Sequence, residues 1–235
     1  MNAAHVTPDN PRRLAFLVFG RLLPLAFFAL LLAVQAQLMA PEIANAIARF
    51  PDADTSLLAA SRVVQLLFVA GIALIYLVRK PPVGRRHQPI AVLVAFYASF
   101  VLLALRPLQS LAGVADGQPT RLLLLLSNVL VLAGLVISLY SLYHLRLSFS
   151  IVPEARELVT GGPYQLVRHP IYLGEIATGL GLVFGLWTWF AAAIWLSMVG
   201  AQLVRTHYEE DVLRESFPEY QSYAKRTKRV IPWLA

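Results

Sequence analysis

The chain has no cysteine, which excludes disulfides, thiolate metal sites and thiol nucleophiles. Charge is scarce as well. Asp, Glu, Lys and Arg make up 14% of the 235 residues, against about 25% in soluble domains. A soluble fold of this length buries a good core but still needs a charged surface. Apolar residues take the place of charge, at 58% of the chain, with a mean hydropathy of +0.64. Lipid covering most of the outside accounts for both, so composition implies an integral membrane protein. No internal repeat or low-complexity linker breaks the chain, which reads as all-α and polytopic.

Acidic residues are the scarcer charges, 13 against 20 basic ones, giving a formal net charge of +7. Such a balance invites a nucleic-acid reading, but no basic-aromatic stripe or reading helix is present, so no nucleic-acid partner is expected. In a membrane protein, Lys and Arg flank spans on the cytoplasmic side. The amino-terminal lead, "MNAAHVTPDNPRR", has no small-residue cleavage site after the apolar run that follows it. It reads as leading into a retained first span rather than as a removed signal peptide.

A span needs about 20 apolar residues. Residues 14–34, 57–78 and 122–145 qualify, and 90–105 make a shorter one. Residues 171–204 run for 34 positions with Glu175 as the only charge. As one straight helix they would reach roughly 51 Å, against a hydrocarbon core of about 30 Å. Two helices turning at "GLWTWF" fold the same stretch into a membrane hairpin, with Trp at the interface. The expectation is six spans, four followed by a hairpin pair. With an inside amino terminus, fifteen of the twenty Lys and Arg residues fall on cytoplasmic segments. Both termini and the polar segments are therefore expected on the cytoplasmic face of the inner membrane. The charged tail, 205–235, reads as a helix leaving the membrane and lying along the interface, limited by Pro218. "VIPWLA" is expected to pack back as an extended piece.

One polar, helix-breaking stretch interrupts this pattern: "LVTGGPYQLVRHPIYLGE", residues 158–175. Irregular backbone at membrane depth persists only where protein or a water-filled cavity satisfies it. Gly161 and Gly162 tolerate positive φ, Pro163 fixes φ, and Pro170 disfavours helix at His169. Arg168, His169 and the helix N-terminus that follows make a place for an anionic group. Two readings stay open, a ligand-binding pair or an interfacial anchor. "GGP" lacks the G-x-G-x-x-G pattern and follows no expected strand, so it is not a dinucleotide loop. In the tail, Arg205 and Glu209 share a helix face at i and i+4, with His207 and Glu210 on a neighbouring one. Glu175, one turn into the hairpin, is expected to pair or to reach the interface.

The pattern G-P-Y-x-x-V-R-H-P-x-Y-x-G, an apolar hairpin, then R-x-x-x-E-E-x-x-L with F-x-x-Y-x-x-Y and a terminal I-P resembles the isoprenylcysteine carboxyl methyltransferase family. That family stands in the wider group that includes phospholipid methyltransferases. The resemblance covers about residues 155–232. It implies an S-adenosylmethionine pocket, with S-adenosylhomocysteine as product, and a lipophilic or lipid acceptor entering from the bilayer. The acceptor is an isoprenylcysteine-type carboxylate, a lipid amine or a phenolic lipid. By motif position, Arg168, Arg205 and Glu209 are implied as catalytic. Leu158, Val159, Gly162, Tyr164, Val167, His169, Pro170, Tyr172, Glu209 and Glu210 are implied as cofactor-binding, with no metal ligands. Residues 1–120 are then an N-terminal transmembrane region and 121–235 the methyltransferase core. The competing classes are a sterol-reductase-like enzyme using NADPH and a non-catalytic membrane scaffold.

Overall fold

The computed structural model describes residues 14, 16–50, 52–85 and 88–231. The lead up to Arg13, Arg86, and the last four residues of "VIPWLA" lie outside them. A π-helical turn, Phe16–Leu22, runs into α1, Leu23–Ala48, and α2 covers Ala53–Val78. A bent pair follows, α3 at Pro89–Phe100 and α4 at Leu105–Leu111, then α5 at Arg121–Leu145. The hairpin is α6, Pro170–Leu186, and α7, Trp189–Ser216, and the tail ends in α8, Tyr220–Arg226. The only sheet among the described residues is β1, Gly84–Arg85, antiparallel to β2, Glu154–Ala155.

Side-chain caps set three of the starts. Thr55 N–H bonds Asp52 at α2 (3.2 Å), Leu123 N–H bonds Thr120 at α5 (3.3 Å), and Ala191 N–H bonds Thr188 at α7 (3.2 Å). Each accepts an N–H that has no partner within its helix. Between α6 and α7 the chain turns at Trp187, which takes a left-handed conformation with φ 49°. The expected hairpin therefore forms, and its turn falls within "GLWTWF".

Two expectations are corrected. The first helix does not stop near residue 34 but continues through Pro41 to Ala48. The 90–105 span breaks, with α3 and α4 meeting at 88°. Pro107 explains that break, because it has no N–H to bond Leu103 O and its ring clashes there. The second hairpin helix continues into the tail, since α7 runs unbroken from Trp189 to Ser216, and Pro218 limits it as expected. Among the described residues, three helices are long and apolar enough to cross a membrane, or four if the bent pair counts as one. The count of six is not confirmed by this criterion, since α6, at 17 residues, and α7, with the charged tail on its C-terminal part, fall outside that group.

Close packing of α5 on α6 positions the site. A Cβ at Gly134 would lie 2.6 Å from Thr178 N, and one at Gly174 only 2.9 Å from Ser138 N. Small residues thus let the two backbones touch. Phe28, Val69, Tyr76, Ala95, Leu142 and Ile171 form the main core beside them. Leu38, Leu93, Leu122, Leu196 and many other large apolar side chains remain exposed, as a lipid-facing surface requires.

Candidate active site

The interrupted segment is built by short turns. α5 ends at Leu145, followed by Arg146 with φ 49°, and a 3-10 turn at Gly162–Gln165 leads to the start of α6. Gly162 has φ 59°, and a Cβ there would come within 2.7 Å of the His144 ring Cγ. Only glycine suits both demands.

The tail folds back over this segment through residues 223–229. Arg168 N–H donates to Lys228 O (2.7 Å), His169 N–H donates to Arg229 O (3.0 Å), and Val167 forms a parallel bridge with Lys228. Arg168 Nη1 donates to Ala224 O at 2.9 Å and also to Thr227 O. The Tyr223 hydroxyl donates to Tyr164 O (2.7 Å). The backbone groups left free by the missing helix are thus taken by the last 12 described residues or so of the chain.

An anionic group does stand in front of Arg168 and His169, and it is the chain's own Glu210. Its carboxylate, fully buried, accepts from Arg168 Nε (2.9 Å), His169 Nε2 (3.3 Å), Arg229 Nε (3.1 Å) and Arg214 Nη2 (3.0 Å). Burial alone would raise its pKa, but the hydrogen bonds from His169 and Arg168 and their charges bring it down to about 2. His207 does not meet Glu210 directly; its Nε2 faces Arg229 Nη1 at 3.0 Å.

Glu209 turns the other way. It accepts from Arg205 Nε (3.0 Å) and from the Tyr172 hydroxyl, and one oxygen lies 3.8 Å from His169 Nδ1. The Tyr172 ring stacks on His169 at 5.3 Å and 5°. Arg205 is buried. It donates to Ser99 Oγ (2.9 Å) and Ile151 O (2.7 Å), and its guanidinium lies 4.6 Å over the Tyr172 ring. Glu175, below this group, accepts from Gln202 Nε2 on α7.

A cavity of ≈ 100 Å³ opens between the 145–159 connection, the start of α6 and the tail. Leu158, Val159, Tyr164, Arg168, His169, Tyr172 and Glu209 are on its wall. Arg205 and Glu210 stand behind that wall. Gly162, Val167 and Pro170 shape the turns that carry it. Among the wall residues with no assigned role in the sequence are Tyr220, Tyr223, Glu154 and Arg156. The two tyrosines belong to the F-x-x-Y-x-x-Y repeat, a signal that was legible. Burial pushes the Tyr223 phenol up to about 12, and the Tyr220 phenol higher still, so both are neutral. A wider cavity of ≈ 560 Å³ lies at the other ends of α5 and α6. Its arginines are each paired: Arg62 with Glu42, Arg106 with Asp116 and Arg121 with Asp54. Among the described residues, no group of three or more His, Cys, Asp or Glu side chains could hold a metal ion.

The apolar helices define an integral membrane protein, with a buried cluster of charged side chains gathered where α6, α7 and the tail meet. Residues 122–220 match the family model for phospholipid methyltransferases. The chain is also similar to the nickel-cobalt-cadmium resistance protein NccN of Alcaligenes xylosoxydans xylosoxydans. The two are 34% identical over 85 residues, which is 35% of this chain and 39% of that protein. It is likewise similar to the cobalt-zinc-cadmium resistance protein CzcN of Cupriavidus metallidurans. That similarity is 36% identity over 81 residues, 33% of this chain and 37% of that one. The chain thus spans under two fifths of the length of these curated relatives.

Proposed function

We propose that this protein is an integral membrane methyltransferase that uses S-adenosylmethionine and acts on a lipophilic acceptor arriving from the bilayer. One observation carries the reading. Within the part matching the phospholipid methyltransferase family, two segments some forty residues apart converge on His169 at the wall of one cavity. The metal-resistance names of the two relatives stay with those proteins.

The donor set suits the cofactor. The Tyr220 hydroxyl is buried on the cavity wall with no hydrogen-bond partner among the described residues. A buried polar group left in this way calls for a ligand or water to complete it. S-adenosylmethionine, when bound, supplies a methyl group activated on a sulfonium. Glu209, one fifth exposed, accepts from an amino group or a ribose diol. Tyr164 and Tyr172 offer aromatic faces to a flat or cationic group, and Leu158 and Val159 give an apolar wall. Arg205 and Glu210 act from behind, Arg205 by fixing Glu209 and Glu210 by fixing Arg168 and His169. At ≈ 100 Å³ the cavity is below the roughly 300 Å³ of small-molecule sites, so binding requires it to widen. Residues 1–120 form the N-terminal region and 121–235 the core, with both termini and the site on the cytoplasmic side of the inner membrane.

The test is transfer of labelled methyl from S-adenosylmethionine to a total lipid extract by protein in proteoliposomes. Labelled lipid is expected, together with S-adenosylhomocysteine binding that Glu209→Gln weakens by about tenfold. Absence of both labelled lipid and binding overturns the proposal. NADPH binding in their place would favour the reductase reading.

A further inference from the structure

Arg156 follows β2 and is held by its own neighbourhood. Its Nε donates to Lys80 O (2.9 Å) and its Nη2 to Glu154 Oε2 (2.6 Å). The same carboxylate oxygen accepts from Arg79 Nη2 (2.7 Å) and from Ser150 Oγ (2.9 Å). Two guanidinium groups thus converge on Glu154, and the side chains of all three are about 95% buried. Arg156 Nη1 is buried and has no hydrogen-bond partner. Arg156 is also on the wall of the cavity that Glu209 and Tyr220 line, whereas Arg79 is not.

A buried donor without an acceptor costs about 1–3 kcal/mol, more when charged. A guanidinium in this position is best completed by an oxyanion, which its planar fork matches. We propose that Arg156 is an oxyanion-binding residue of the cavity, its Nη1 taking a carboxylate or phosphate oxygen of a bound ligand. Glu154 and Lys80 O hold the guanidinium in place, so the free N–H is fixed before the ligand arrives. The other ionisable acidic and basic groups on the wall are Glu154, Glu157, Glu209, Arg168 and His169. Arg168 is already committed to Glu210 and to tail carbonyls, which leaves Arg156 as the cation on the wall with a free donor among the described residues. The inference rests on the cavity being a ligand site, and two ligands bring such an oxygen. One is the amino-acid end of the methyl donor, the other the phosphate of a phospholipid acceptor.

The experiment measures binding to the full chain in nanodiscs, for wild type, Arg156→Gln and Arg156→Lys. Two ligand pairs separate the sources. S-adenosylhomocysteine is compared with 5′-methylthioadenosine, which lacks the carboxylate, and a short-chain phospholipid with the matching diacylglycerol, which lacks the phosphate. Arg156→Gln is expected to weaken one oxyanion-bearing ligand by about tenfold or more and its counterpart by less than threefold. The pair that responds identifies the source. Arg156→Lys keeps a positive charge beside Glu154 and carries the same comparison if Arg156→Gln does not fold. Unchanged affinity for both oxyanion ligands, or equal loss within each pair, overturns the proposal; the first outcome assigns the Nη1 donor to water. If wild type binds neither adenosine ligand, the methyltransferase reading fails, while the phospholipid pair still tests Arg156.

Discussion

His169 and Glu210, 41 positions apart, meet at 3.3 Å, and through this contact the interrupted segment and the tail become one site. Glu210 also accepts from Arg168, Arg214 and Arg229. A single buried carboxylate therefore ties the start of α6 to α7 and to the end of the chain.

Glu210→Gln leaves these cations around a neutral amide. Breaking a buried pair on one side typically costs about 3–5 kcal/mol. The lower figure applies here, because Arg214 is 45% and Arg229 28% exposed. About 3 kcal/mol corresponds to a fall in Tm on the order of 10 °C for a chain of this size. Thermal unfolding in detergent checks it; a fall of less than about 3 °C removes Glu210 as the anchor of the tail.

The same group sets a pH dependence. Its folded pKa of about 2 lies below the ordinary carboxylate value of 4.5. The unfolded chain therefore binds the proton more readily, and stability falls as protons are added. The Glu210 contribution is complete above about pH 4.5 and is lost as pH drops toward 2. Wild type should lose more Tm between pH 5 and pH 3 than Glu210→Gln does, and parallel pH profiles for the two would contradict this assignment.

Much of this arrangement was legible in the sequence. Pro163, Pro170 and the glycine pair marked non-helical backbone, and the i, i+4 spacing of Arg205 and Glu209 became a 3.0 Å hydrogen bond. The hairpin followed from length alone. Less legible was which partner fills each polar place. An anionic group was expected before Arg168 and His169, but local spacing carries no sign that Glu210, on another helix, would be that group. The contacts of Arg205 with Ser99 and Ile151, and of Arg156 with Lys80, are long-range and leave no periodic trace. Length and composition do not confirm the six-span count, because Pro107 breaks one span and α7 runs past the end of its apolar part.

Gly162→Ala should be costly for two separable reasons. A side chain at φ 59° is strained, at about 1–2 kcal/mol, and the added Cβ enters the His144 ring. His144→Ala in the same chain relieves the second cost and not the first. The double variant is therefore expected to recover part of the lost stability, by about 1 kcal/mol or more. Strict additivity in thermal unfolding would show that the ring is not the obstacle.

Arg205→Lys tests how Glu209 is held. The arginine makes three hydrogen bonds in different directions, to Glu209, Ser99 and Ile151 O. It also lies over the Tyr172 ring, whose hydroxyl reaches the same Glu209. Lysine keeps the charge but has one terminal nitrogen, which cannot reproduce the planar fork. Losing two such bonds costs about 2–4 kcal/mol in stability at a buried site. Glu209 is then held by Tyr172 and a less directional cation. Under the proposed function, S-adenosylhomocysteine affinity should fall by about tenfold even at a temperature where the variant is fully folded. Adding Glu209→Gln to Arg205→Lys should produce little further loss, because both changes act through one carboxylate. If the two losses multiply instead, Arg205 influences the cavity by a route other than Glu209, and its placement behind the wall would need a different explanation.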